Sequence, residues 1–159
     1  MKKMLLVLAF VLMVLGISAQ TGLLGLYYGE SFSVARSALQ NKGFVMIKNG
    51  SVAKEFTLEF PTTYYLVTLY INPDTSRMVG WSIRYKENLT EDAYEAIYSE
   101  CLSLHGEDYY VKEESRFIGW KLDETKTFML GFDENRELNI AVYSDDNFTN
   151  IFEREGEKP

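Results

Sequence analysis

The sequence YYLVTLYINPDTSRMVGWSIRY, residues 64–85, decides the fold class because two strand patterns flank a single turn. Residues 64–71 are rich in aromatic and β-branched side chains, a composition that favours a strand. The tripeptide at 72–74, Asn-Pro-Asp, predicts the turn. The next stretch alternates with a period of two, with Val79, Trp81, Ile83 and Tyr85 on one predicted face and Met78, Gly80, Ser82 and Arg84 on the other. The stretch therefore predicts an antiparallel hairpin.

Two amphipathic helices are predicted on either side of this hairpin. The first has Ser31 as its N-cap, Gly43 as its stop, and an apolar face made of Val34, Ala35, Ala38 and Leu39. The second has Thr90 as its N-cap and ends at Gly106. Leu89 is placed to pack on Tyr94 as a hydrophobic staple.

Further strand patterns complete an antiparallel sheet. They lie at 44–47 and 56–60, around the hairpin signal Asn49-Gly50, and at about 109–113, 116–122, 126–132 and 137–143. Because the helices are amphipathic and the strands alternate, we expect a two-layer α+β fold. Both helices are predicted to cover one face of the sheet, leaving the other face open.

The order of these elements suggests an internal duplication. The helix-ending glycines, Gly43 and Gly106, are 63 residues apart, and the arginines that open the matching last strands, Arg77 and Arg136, are 59 apart. A nearly constant offset is typical of tandem repeats. The repeats are predicted at 29–86 and 89–143 within one domain at 20–152.

The N-terminus has the features of a cleavable signal peptide at 1–19. Lys2 and Lys3 precede an apolar run at 4–15, which is too short to span a bilayer, and Ala19 supplies a small residue before the predicted cleavage at Gln20. No cysteine follows the run, so no lipid anchor is expected, and no transmembrane segment is expected in the mature chain. A periplasmic or secreted protein with a loose charged tail at 153–159 is predicted.

The charge and cysteine content narrow the expected partners. After cleavage the chain would keep 14 basic and 23 acidic residues, a net charge of −9, which disfavours nucleic acid. Three glycosylation-type triplets, at Asn49, Asn88 and Asn147, are interpreted as chance occurrences. With Cys101 as the only cysteine, no internal disulfide can form.

Few residues suggest catalysis or metal binding. Cys101 and His105 lie four apart on the second helix and would share a side, but the apolar stripe and the helix end favour structural roles for them. A metal site would need further ligands, so neither a metal nor another cofactor is expected. The pairs Glu55 with Glu59 and Glu113 with Glu114 would be needed for a small hydrolase that uses two carboxylates. The acidic loops at 133–135 and 145–147 lack the spacing of a calcium loop.

A resemblance to small exported bacterial modules rests on the first helix. The sequence GESFSVARSAL at 29–39, closed by Gly43, resembles the opening helix of the β-lactamase-inhibitor-protein family and of outer-membrane assembly lipoproteins with the same shape. The resemblance implies repeated helix-plus-sheet units and protein binding through an exposed sheet. The chain departs from these families by lacking the paired cysteines of the inhibitors and the lipidated cysteine of the assembly factors.

The aromatic content suggests a contact surface. The chain has more aromatic side chains than one small core requires, so we expect some on the open sheet face, where they would bind a protein or peptide of the envelope. No catalytic residues are predicted. The candidate binding residues are Tyr64, Tyr70, Trp81, Tyr85, Trp120 and Tyr143. The alternatives are a secreted hydrolase with paired carboxylates and a periplasmic ligand carrier with an apolar pocket between helices and sheet.

Overall fold

The protein forms a mixed α+β fold around one eight-stranded antiparallel sheet, which confirms the predicted class. The computed structural model describes residues 21–59, 62–112, 114 and 116–154. The strand order is β1-β2-β3-β4-β8-β7-β6-β5. The strands are β1 (Phe44–Asn49), β2 (Ala53–Leu58), β3 (Tyr64–Asn72), β4 (Arg77–Tyr85), β5 (Tyr110–Lys112), β6 (Phe117–Lys121), β7 (Lys126–Phe132) and β8 (Leu138–Asp145).

Two four-stranded meanders meet in the middle of the sheet. Each meander pairs its strands in chain order, and the last strands, β4 and β8, pair with each other. Their register places Trp81 opposite Tyr143 and Ile83 opposite Ala141. The hairpin at 64–85 is β3 paired with β4, as the sequence predicts.

Two helices precede the two meanders. Helix α1 (Phe32–Asn41) follows Ser31, and helix α2 (Glu91–His105) follows Thr90, whose side chain accepts a hydrogen bond from the N–H of Ala93. Gly106 ends α2 with a left-handed φ of 81°, as predicted, because glycine adopts that conformation without strain. The apolar face predicted for α1 is wrong at Val34, which is 50% exposed, since only Ala35 and Leu39 are buried there.

The main hydrophobic cluster joins these helices to the sheet. Ala35 and Leu39 of α1 and Ile97 and Cys101 of α2 belong to the same cluster as the sheet residue Trp81. Burial of such apolar area is the dominant stabilising contribution to folding, about 25 cal/mol per Å². The cluster therefore ties both meanders to both helices.

A second, smaller cluster involves a C-terminal helix that the sequence patterns do not predict. Helix α3 (Thr149–Arg154) follows a short 3-10 helix (Asp146–Phe148), and it packs Ile151 and Phe152 against Tyr70 and Val79. The predicted loose tail at 153–159 thus begins inside a helix, and residues 155–159 lie outside the described residues.

A β-bulge changes the predicted faces of β4. The register shifts between Tyr70 and Ile71 of β3, so that Tyr70 pairs with Gly80 while Ile71 pairs with Met78. An extra residue in one strand reverses the side-chain alternation beyond it. Met78 therefore lies in the main cluster and Val79 in the second cluster, opposite to the strict alternation predicted from the sequence.

No helix in the described ranges is long and apolar enough to cross a bilayer. The predicted signal peptide at 1–19 lies outside these ranges.

Candidate functional site

The predicted aromatic face is not exposed. The side chains of Tyr70, Trp81, Tyr85, Trp120 and Tyr143 are all at most 2% exposed, and only Tyr64 keeps partial exposure. The prediction of an exposed sheet face made of these residues is therefore wrong for five of the six. Their aromatic surface is already used in packing, which is why it is unavailable to a partner.

Four of the rings form one row across the sheet because the register aligns their strands. Trp81, Tyr143, Phe128 and Trp120 lie on β4, β8, β7 and β6, and they are consecutive cross-strand partners. The centroid separations are 4.1 Å for Trp81 and Tyr143, 4.3 Å for Tyr143 and Phe128, and 5.1 Å for Phe128 and Trp120. We call this set the aromatic row. Its rings stack on one another inside the main cluster.

The polar atoms of the aromatic row are largely bonded within the core. The Tyr143 hydroxyl accepts a hydrogen bond from the N–H of Leu23 at 3.0 Å and lies 2.9 Å from Nε2 of His105. The indole N–H of Trp120 donates to the carbonyl of Gly106 at 2.9 Å. These bonds tie the row to the end of α2 and to the N-terminal segment, which is a structural role.

Cys101 and His105 do not form a reactive pair. Burial raises the pKa of the Cys101 thiol to about 12, so the thiolate that a nucleophile requires is disfavoured. Burial lowers the pKa of His105 to about 4, which leaves the imidazole neutral at pH 7. Cys101 packs in the core as the sequence predicts, but the role expected for His105, a cation at the end of the helix, is wrong because burial keeps its imidazole neutral. No cluster of ligands suited to a metal ion occurs among the described residues.

The other candidate carboxylates have structural partners or lie apart. Glu55 binds Nζ of Lys48 at 2.7 Å, and Glu59 is exposed. Glu114 is exposed, and its proposed partner Glu113 lies outside the described residues. Asp133 accepts hydrogen bonds from the N–H groups of Asn135 and Glu137, as expected for a residue that closes its own turn.

A groove at the outer end of the second meander is the strongest candidate for a contact surface. It has a volume of about 680 Å³ and lies beside β5, the strand at the sheet edge. Its lining combines apolar and cationic side chains, among them Val111, Lys112, Arg116, Phe117, Phe132 and Arg136. We call it the β5 groove. Its apolar side chains come from β5, β6 and β7, and its cations come mainly from the turns that join these strands.

The two arginines in the lining of the groove have a backbone conformation that is unusual for residues other than glycine. Arg116 has a φ of 56° and Arg136 a φ of 65°, the left-handed region that glycine adopts most easily. For an arginine this conformation costs roughly 1–2 kcal/mol. Non-glycine residues held in such a conformation cluster at functional sites. Local folding alone would favour glycine or asparagine at both positions.

The charges in the groove favour an anion. Among the described residues that line it, three are cations, Lys112, Arg116 and Arg136, and one is a carboxylate, Glu134. Neither arginine forms a salt bridge with any residue in the part of the chain that the structure describes. The neighbouring carboxylate of Glu137 is engaged elsewhere, since it accepts a hydrogen bond from the N–H of Asn88.

The edge strand itself offers main-chain hydrogen-bonding groups. Among the described residues, strand β5 pairs with β6 alone, so its outer side has no strand partner there. Val111 and Tyr110 are exposed on this strand, at 58% and 38%. An exposed edge of this kind can accept a further strand.

Sequence reasoning missed this groove. The turn at 133–135 is visible in the sequence, and Arg136 directly after it is the one available signal, because that position requires a left-handed residue. Nothing in the sequence marks Arg116 in the same way. Arg116 and Arg136 are brought together by the β6–β7 hairpin, which places the start of β6 beside the end of β7.

Comparisons with protein-family models, with curated proteins and with solved structures find no match to this chain.

Proposed function

We propose that this chain is an exported, non-enzymatic binding module, and that its contact surface is the β5 groove. The partner is an acidic segment of another protein, held in an extended conformation along β5. The observation that carries the proposal is the pair of left-handed arginines, Arg116 and Arg136, lining an apolar groove beside a free sheet edge.

The groove and the edge would act together. Main-chain bonds from β5 would hold the peptide in register, while alternate side chains of the added strand would face the groove. Val111, Phe117 and Phe132 suit an apolar side chain, and the guanidinium groups suit carboxylates through paired hydrogen bonds. An acidic and apolar alternation in the peptide matches both features.

A direct binding experiment tests this proposal. The probe is a fluorescein-labelled heptapeptide that alternates glutamate and valine, and the control peptide carries lysine in place of glutamate. Fluorescence anisotropy with the purified chain is expected to show binding of the acidic peptide and at least about tenfold weaker binding of the basic one. Equal affinity for the two peptides would overturn the charge argument.

Matched variants locate the binding. Arg116→Asn and Arg136→Asn remove a charge but keep a residue that tolerates the left-handed conformation. Each is expected to weaken binding of the acidic peptide by about two- to fivefold, because an exposed or rim charge contributes at most about 1 kcal/mol. Arg36→Asn removes an exposed arginine on α1 and serves as the control. If the groove variants bind as tightly as the control, the site lies elsewhere.

Strand addition is tested by modifying the peptide while the protein is left unchanged. N-methylation of every second residue blocks main-chain hydrogen bonding along one side of the peptide without changing its charge. Binding is expected to fall at least about tenfold when the methylated side is the one that faces β5, and to persist for the other set. Equal binding by both methylated peptides would exclude pairing along the edge.

Measuring the stability of the Arg136→Gly variant shows whether Arg136 is needed for folding or for binding. Glycine relieves the left-handed conformation, so the free energy of unfolding is expected to rise by about 0.5–1 kcal/mol. The same variant is expected to lose affinity for the acidic peptide. A stability gain together with a binding loss would support a residue retained for function.

Export is part of the proposal and has its own test. The apolar run at 4–15 and the small Ala19 support cleavage before Gln20. Expression of the whole chain in a bacterial host is expected to give an envelope or medium product whose first residue is Gln20. A product that keeps residues 1–19 in the cytoplasm contradicts the proposed compartment.

We also infer that the fold is a tandem of two helix-plus-four-strand units with α1 and α2 on the same face. Support comes from the strand order, in which each meander follows its own helix, and from the shared hydrophobic cluster. This is the arrangement that the resemblance to the small exported modules implies. Co-expression of 20–88 and 89–159 as separate chains is expected to restore one complex. Failure of the halves to associate would argue against separable units.

A further inference from the structure

A second cavity lies at the opposite end of the strands from the β5 groove. It has a volume of about 530 Å³, inside the range of roughly 300–1,000 Å³ that holds small molecules. It is bounded by Tyr28, by the β3–β4 turn with Arg77, by the β6–β7 turn with Asp123 and Lys126, and by Asp145 at the end of β8. We call it the Asp145 pocket.

The anionic side of the pocket is a buried carboxylate. Asp145 is only 7% exposed, and its Oδ1 accepts a hydrogen bond from the N–H of Asn147 at 3.0 Å. Its Oδ2 has no hydrogen-bond partner within the described part of the chain. Oδ2 is not among the buried polar atoms that lack a partner, so it is accessible from the pocket and can accept a hydrogen bond from a cationic group.

The cationic side is Arg77. One of its N–H groups donates to the carbonyl of Gly29 at 2.7 Å, which fixes the guanidinium at the pocket. Gly29 is itself held because its N–H donates to the carbonyl of Met78 at 2.8 Å. A guanidinium has five N–H donors, and the others have no acceptor in the ranges that the structure describes. They remain able to bind a carboxylate.

The remaining charges of the pocket neutralise each other. Nζ of Lys126 lies 2.6 Å from Oδ2 of Asp123, and this hydrogen bond is the main reason why the pKa of Asp123 is lowered to about 2. Lys126 also lies over the ring of Tyr28, 5.5 Å from its centroid. The Tyr28 hydroxyl donates to the carbonyl of Ser144 at 3.0 Å. These groups form a rigid wall, and the two charges left to a ligand are those of Arg77 and Asp145.

We propose that the Asp145 pocket binds a zwitterion of the amino-acid class, a free amino acid or a dipeptide. Its ammonium group pairs with Asp145 and its carboxylate with Arg77. A ligand with one charge alone would leave the other protein charge without a counterpart. The apolar side chains of Met78, Val79 and Phe148 line the same cavity and suit an apolar ligand side chain. This site is independent of the β5 groove and of the function proposed for it.

Calorimetric titration with defined probes tests the charge pattern. The probes are L-phenylalanine and glycyl-L-phenylalanine, compared with N-acetyl-L-phenylalanine, which lacks the ammonium group, and L-phenylalanine amide, which lacks the carboxylate. At least one of the two zwitterions is expected to bind, and its blocked counterparts are expected to bind at least about tenfold more weakly. Absence of binding by both zwitterions at millimolar concentration, or equal binding of all probes, would overturn the proposal.

Two variants test which protein residue binds each charged group of the ligand. Asp145→Asn keeps an oxygen to accept from Asn147 and removes the negative charge, so it is expected to lose the preference for a free ammonium group. Arg77→Gln is expected to lose the preference for a free carboxylate. Circular dichroism checks that both variants are folded. If folded variants keep the preferences of the original chain, the ligand binds elsewhere.

A double variant that carries both Arg116→Asn and Arg136→Asn shows whether the two sites bind their ligands independently. It is expected to bind the zwitterion normally while losing the acidic peptide. Loss of both ligands in that chain would contradict an independent Asp145 pocket.

Discussion

The two faces of the sheet bury aromatic rings in different ways. On the face that packs against the main cluster, the rings of the aromatic row lie side by side on four paired strands and stack with their neighbours. On the other face, glycines leave space that rings from nearby segments fill. A Cβ atom on Gly80, Gly119 or Gly131 would meet the ring of Phe152, Tyr110 or Phe117, respectively.

This difference explains why a count of aromatic residues overestimates their exposure. Stacking buries the four rings of the aromatic row, and Phe152 is buried over Gly80, whereas Tyr110, which covers Gly119, stays 38% exposed. The abundance of tyrosine and tryptophan here therefore indicates packing more than partner binding. The predictions below test each half of this comparison.

The largest effect is expected for Trp81→Ala in the aromatic row. Trp81 is fully buried and stacks on Tyr143, so its removal is expected to lower the free energy of unfolding by about 3–5 kcal/mol. Urea unfolding followed by circular dichroism measures this. Tyr65→Ala, at a 39% exposed position, is the control and is expected to cost far less. Similar losses in the two variants would show that the row is not a tightly packed unit.

The next effect is a dependence of stability on pH through His105, which contacts the row at Tyr143. Because burial lowers its folded pKa from 6.5 to about 4, the unfolded chain binds the proton more tightly. Its contribution is complete above pH 6.5 and is lost as the pH falls, by about 3 kcal/mol at pH 4. The measurement is the difference in unfolding free energy between the original chain and His105→Asn across this range. Parallel pH profiles would contradict the burial of His105.

A smaller loss is expected for Gly80→Ala on the opposite face. The added methyl group would meet the carbonyl oxygen of Tyr143, which belongs to the backbone, as well as the Phe152 ring. Because β8 cannot move without breaking its pairing, a loss of about 1–3 kcal/mol is expected. Thermal unfolding measures it. A neutral result would show that β4 and β8 separate easily.

The smallest effect is expected for Gly119→Ala on the same face. There the three atoms nearest to the added methyl all belong to the Tyr110 side chain, on an exposed edge strand that can move aside. The loss is expected to stay at or below about 1 kcal/mol. A loss equal to that of Gly80→Ala would indicate that β5 is held as firmly as the central strands. That outcome would also weaken the proposal that β5 accepts a partner strand.

Local features of the fold could be predicted from sequence because their causes lie within a few residues. The hairpin at 64–85, the cap at Thr90 and the stop at Gly106 depend on turn and capping chemistry, and all three are present. The bulge that separates Met78 from Val79 could not be predicted, since it depends on how β3 and β4 align.

The candidate sites depend on contacts between distant segments. Trp81 and Tyr143 stack because β4 pairs with β8, and no pattern within either strand specifies that pairing. The same holds for Arg77 and Asp145, which come from different meanders. Alternation within a strand predicts which residues share a face, but it does not predict what covers that face.

The pairing of β4 with β8 also constrains how the chain is made. β8 is synthesised after the other seven described strands, so a growing chain that has reached residue 130 has no partner for the inner edge of β4. That edge carries Trp81 and Ile83, and an unpaired apolar edge invites wrong pairing with other chains. Closing the sheet requires a contact across about 60 residues, which is slow compared with local hairpins. Completion of the sheet therefore depends on synthesis of β8, and chains that terminate before β8 are expected to aggregate.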